Sequence, residues 1–130
     1  MIEFTYSNEH NFPLSQAGIE QAVANVFLIR NIQIAQVGIQ IVDEEQMRVL
    51  NEQYKHHQGA TDVLTFVLHD PEQPTPHFIE TDESAHEYGD IFLCYPVIAA
   101  SAQEEGVTVQ ERAEFLAEHG SLHLLGEHHD

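Results

Sequence analysis

The segment from Thr108 to His129, "TVQERAEFLAEHGSLHLLGEHH", constrains the fold of this chain more than any other stretch. Thr108 with Glu111 three residues later forms a capping box, in which each side chain satisfies a free amide at a helix start. Ala113, Phe115, Leu116, Leu122 and Leu124 then supply the apolar positions as far as Leu125. Gly126 is the residue expected just past a helix end. The spacing therefore predicts one long helix with a defined start and stop. Because a helix turns about 100° per residue, His119 and His123 fall about 40° apart and one turn along. Two imidazoles so placed reach a single cation.

Gly126 permits positive φ and turns the chain back, which lets His129 close a third coordination position. His128 stands beside it, and spacing alone leaves the choice between the two open. Three neutral imidazoles leave a fourth position for water, which is the catalytic rather than the structural arrangement of zinc. Water held in this way ionises near neutral pH. One divalent ion is expected, with zinc first and nickel or copper also suited to imidazole. The histidine spacing is that of zinc proteases, which place a glutamate directly after the first histidine as general base. Here that position is Gly120. Peptide hydrolysis benefits from such a base. The missing base therefore disfavours a peptide hydrolase.

The rest of the chain supplies a scaffold for this helix. "IEFTY" alternates as a first strand, and "SQAGIEQAVANVFLIRN" has helical spacing that begins near Ser15. "IQIAQVGIQIV" alternates with a change of parity, which a bulge or a strand start near Ala35 or Gln36 would reconcile. Asp43 and Gln46 make a second capping box, followed by the polar connection "KHHQGA". "TDVLTFVL" is almost continuously apolar and reads as a central strand. Residues 69–88 form a long proline-bearing acidic loop, with a short strand conceivable at "HFIE". "GDIFLCY" is a further strand, and Pro96 suits the first turn of a helix ending at Gly106. The expected fold class is α+β: a small mixed β-sheet of about four strands packed with several helices, the histidine helix central. Residues 1–130 are expected to form a single hydrolase domain.

Composition narrows the setting. Twenty-two acidic residues stand against four basic ones, Arg30, Arg48, Lys55 and Arg112, for a formal net charge of -18. Nucleic-acid backbones are normally held by lysine and arginine, so this surface should repel them at low salt. It reads as a solvated face suited to salty surroundings, or as a patch for cationic partners. No apolar run approaches a membrane span, and the N-terminus lacks the basic and apolar regions of a signal peptide. Cys94 is the only cysteine, so no intrachain disulfide forms. A cytoplasmic location without membrane association is the expectation. Tyr54 and Phe66 read as core, Cys94 as buried and inert, and His56 and His57 as exposed loop residues. Asp62 reads as a turn residue or as one that orients a ligand.

"HGSLHLLGEHH" resembles the HGxLHLxGYDH signature of the YbeY-type rRNA maturation factors, which are metal-dependent endoribonucleases. "LNEQYK", "TDVLTF" and "GDIFLC" are similar to the LNxxYR, TDVLSF and GDIFIC segments of that family, in the same order. The resemblance implies a metal on His119, His123 and His129 and cleavage of single-stranded RNA; with that substrate, Gly120 reads as keeping a repelling carboxylate away from an anionic phosphodiester. It also implies a role in ribosome biogenesis, notably at the 3′ end of small-subunit rRNA. Small-subunit proteins and an assembly GTPase are the implied protein partners. Lys55 occupies the position of the family's arginine and becomes the candidate catalytic cation, although lysine lacks the bidentate fork. Glu127 and His128 stand where tyrosine and aspartate are usual. Two other readings are a metalloprotease-like hydrolase, which Gly120 disfavours, and a non-catalytic ribosome-assembly adaptor with a structural metal.

Overall fold

Apolar residues alternating along four short segments build a sheet, and amphipathic helices cover it. The computed structural model describes residues 1–68 and 86–127. In chain order it contains β1 (Ile2–Asn8), α1 (Gln16–Ile29), β2 (Ala35–Val42) and α2 (Glu44–Leu50). A single π-helical turn (Asn51–Lys55) follows, then β3 (Val63–Val67), β4 (Glu87–Cys94), α3 (Tyr95–Glu105) and α4 (Val109–Leu124). The strand order is β1-β2-β4-β3. β1 and β4 both run parallel to β2, and β3 runs antiparallel to β4. The fold is the expected α+β arrangement with a mixed four-stranded sheet.

Strand alternation gives the sheet two faces. On one, Val37, Ile39 and Ile41 of β2 and Ile91 and Leu93 of β4 meet Ile19, Val23 and Phe27 of α1. Ala113, Leu116, Ala117 and Leu124 of α4 complete that core. On the other face, Val42, Phe66, Phe92 and Cys94 pack with Met47 of α2. α4 packs against α1, α3, β3 and β4, so most of its length is fixed by tertiary contacts. Each buried aliphatic side chain stabilises this core by about 1.5–3 kcal/mol relative to exposure.

The helix ends follow local chemistry. The Ser15 hydroxyl accepts from the Gly18 amide at 3.1 Å. Asp43 and Gln46 form the anticipated capping box. Pro96 lies in the first turn of α3, which ends at Gly106 with φ 71°.

Three sequence expectations change, and one holds. β3 was expected to be central, yet it ends the order among the described strands. It is apolar on both sides because Val63 and Val67 join the core under α4, while Leu64 and Phe66 face the second cluster. The parity change before β2 resolves as expected, by a strand start at Ala35 with Ile34 exposed and a register shift between Gln36 and Val37. The loop assigned to residues 69–88 ends earlier, because Glu87 and Tyr88 already belong to β4. Residues 69–85, including the conceivable "HFIE" strand, lie outside the described residues. Finally, Phe115, one of the apolar positions of α4, does not face the core and is 56% exposed.

Candidate metal centre

The candidate site is built on the outer face of α4. Thr108 caps the helix, accepting from the Glu111 amide at 3.0 Å while the Glu111 carboxylate accepts from the Thr108 amide at 3.1 Å. Those bonds hold the Glu111 carboxyl below its ordinary value, the backbone amide contributing most. One helical turn brings His119 and His123 together, both partly buried. Their Nε2 atoms stand 3.1 Å apart, with ring centroids at 4.7 Å and planes at 69°.

That spacing can be tested against a metal. Zinc–imidazole bonds of about 2.0–2.1 Å at a tetrahedral angle place the two nitrogens about 3.3 Å apart. The pair is therefore spaced to share one cation. The same distance also suits a hydrogen bond between two neutral rings of complementary tautomer. Among the described residues, no group of three histidine, cysteine or acidic side chains gathers into a cage. His128 and His129 lie outside the described residues.

The exit from α4 follows from Gly126. Its φ of 80° terminates the helix in the left-handed region. The Glu127 amide donates to the Leu122 carbonyl at 2.8 Å, and the Gly126 amide to the His123 carbonyl at 3.0 Å. This paired arrangement is the Schellman motif, which satisfies carbonyls left open at a helix end. Glu127 is then tied back to the end of α1. Arg30 Nη2 donates to Glu127 Oε1 at 2.7 Å, and Arg30 Nε donates to the second oxygen. The carboxylate raises the Arg30 pKa, chiefly through that hydrogen bond. Arg30 and Glu127 are 97 positions apart, so no local pattern signals their pairing.

Gly120 has a different role from the one its position in the motif suggests. It is buried between α4 and the sheet. A Cβ built there would stand 3.1 Å from a methyl of Ile91 and 3.1 Å from that of Thr65. The glycine therefore permits close approach of helix to strand, which gives the absent glutamate a packing reason. A carboxylate at this position would enter the core.

Lys55 closes the π-helical turn, and its Nζ stands 4.8 Å from the centroid of Phe66. Thr65 faces Gly120, and successive strand residues point to opposite faces. Lys55 thus rests on the far side of β3 from Gly120. The structure brings His119 and His123 together and holds Lys55 against Phe66. Asp62 binds structurally: its carbonyl accepts from the Cys94 amide at 2.9 Å, and its carboxylate lies 3.8 Å from Arg112. Cys94 is fully buried, and burial pushes its thiol pKa up. His56 and His57 are exposed, Phe66 is core, and Tyr54 packs edge-on against it.

Beside the pair lies an open cavity of about 410 Å³, lined by Val26, Arg30, Phe115, Glu118, His119 and Leu122. Arg30 and Phe115 were not singled out by the sequence reading, and Glu127 stood out only as a departure from the family motif. Only Phe115 carried a local signal, being four positions before His119.

Residues 5–130 match the family described as Endoribonuclease YbeY. A protein of that name from Coxiella burnetii is 33% identical over 117 residues, covering 88% of this chain and 71% of the relative. One from Xylella fastidiosa is 40% identical over 99 residues, covering 76% and 58% respectively. The solution structure of a Thermotoga maritima protein superposes with a TM-score of 0.59 at 24% identity. It covers all of this chain and 75% of the other, and it shares the fold.

Proposed function

The chain belongs to the Endoribonuclease YbeY family, and from that premise we propose that it is a metal-dependent endoribonuclease of single-stranded RNA. Its place is rRNA maturation, notably the 3′ end of the small-subunit rRNA, with residues 1–130 acting as one hydrolase domain in the cytoplasm. The observation that carries the metal dependence is the 3.1 Å approach of the His119 and His123 Nε2 atoms on one face of α4. His129 is assigned as the third ligand and zinc as the ion. When bound, the metal supplies a polarised water and neutralises developing charge on the phosphate. Small-subunit proteins and an assembly GTPase are the proposed protein partners.

The chain's own residues do the rest. The Schellman turn at Gly126 ends α4, and Arg30 anchors Glu127 just beyond it. Burial of Gly120 keeps α4 tight on β3 and β4, so the imidazole pair is carried on a rigid element. Lys55 is assigned to bind an RNA phosphate from its seat over Phe66. The decisive experiment is cleavage of single-stranded RNA with and without chelator, and by His123→Ala. Loss of cleavage in both cases is expected. Cleavage that persists in chelator would remove the metal from the reaction.

The net charge of -18 favours one second reading, an adaptor that docks on basic ribosomal proteins while the metal only supports the fold. In that case ribosomal-protein binding persists and no RNA is cut under any metal condition.

A further inference from the structure

A chain with 22 acidic and four basic residues has few cations with which to hold phosphates. Its affinity for RNA must come largely from contacts that are not ionic. The face beside the histidine pair offers one such contact. Phe115 stands one turn before His119 on the same helix face and is 56% exposed. Leaving an aromatic ring half in water forgoes the stabilisation that burial would bring. The ring is nevertheless ordered by its neighbours, since the Arg112 guanidinium lies 5.4 Å from its centroid. Arg112 is itself held by Ser101 at 3.1 Å and Glu105 at 3.3 Å. The ring opens onto the cavity of about 410 Å³ that it shares with His119, a size typical of small-molecule sites.

Resting on the nuclease reading above, we propose that Phe115 is a stacking platform for a nucleobase of the single-stranded substrate. The base lies on the ring within the cavity and places the adjoining phosphodiester beside the imidazole pair. The two nearby guanidiniums already have carboxylate partners, so they order the platform and contribute little to phosphate charge. Base–aromatic stacking tolerates any base, because every base has a π-face. The platform therefore positions RNA without selecting its sequence.

The chain contains no tryptophan, so Phe115→Trp installs a lone indole reporter. The metal-loaded full chain would be titrated with a 2′-O-methyl oligoadenylate of about eight nucleotides, and with the same oligomer carrying abasic residues. The expected result is quenching of the indole by the first oligomer and not by the second. Phe115→Ala and Phe115→Leu should each weaken oligoadenylate binding roughly tenfold, with abasic binding unchanged. Phe115→Tyr should restore affinity. Their folding is checked by thermal melts, which an exposed position should leave near wild type.

Variants that bind and cleave like wild type would overturn the platform and leave the nuclease standing. Wild-type protein that neither binds nor cleaves RNA would overturn both. A wild-type dimer that Phe115→Ala converts to a monomer would assign the ring to a second copy of the chain and likewise overturn the platform.

Discussion

Gly120 shows how one position answers to two constraints. Seen along the histidine motif, it occupies the place of a protease's general base. Seen in space, it is the contact at which α4 meets Ile91 and Thr65. The two views predict different outcomes for Gly120→Glu. Loss of a repulsion-free site would leave a folded, metal-loaded protein that cuts RNA poorly. The packing requires instead that the substitution unfold or strongly destabilise the chain. Overpacking a core costs about 1–3 kcal/mol, and a buried unpaired carboxylate adds several more. Urea melts should show a much lower midpoint, and a wild-type melt would refute the packing account. His119 and His123 were assigned from spacing because their relation depends only on helix geometry. His129 depends on the path after Gly126, which spacing describes far less well.

At the scale of elements, α4 is specified at both ends by short-range chemistry. Its capping box and Schellman turn each satisfy backbone groups that a helix leaves open. The cap also makes the helix sensitive to pH. The folded Glu111 carboxyl is held below its ordinary value of 4.5. Its contribution is therefore fully present above that value and is lost as pH falls through the folded pKa. Glu111→Gln should lower Tm near neutrality, and the gap to wild type should shrink in acid. A gap that is constant from pH 7 to about 3 would show that the carboxylate contributes nothing as an ion. β3 gives the converse lesson. Its apolarity suggested a central strand, but β3 ends the order among the described strands, and only Phe66 is fully buried. Apolar residues on both faces do not require a strand on either side, because α4 and the segment around α2 partly cover them instead.

Across the whole molecule the acidic balance dominates. A formal charge of -18 on 130 residues favours solubility and strains the compact state through self-repulsion. Screening falls within about 10 Å at 0.1 M salt. Tm should therefore rise as potassium chloride increases from low concentration, and a flat or falling Tm would argue that the acidic groups are locally compensated. Among the described residues, no helix is long and apolar enough to cross a membrane.

The sequence by itself determined the element order, the caps, the two-histidine face and the family. Each of these rests on relations within a few residues or on motifs met in order along the chain. Only the tertiary structure decided that Gly120 is a packing contact, that β3 lies at the end of the described strands, and that Arg30 grips Glu127. It alone also showed that Phe115 stands in solvent beside the histidines. Those facts depend on which helix covers which sheet face, a choice made by the whole core at once and written in no single segment.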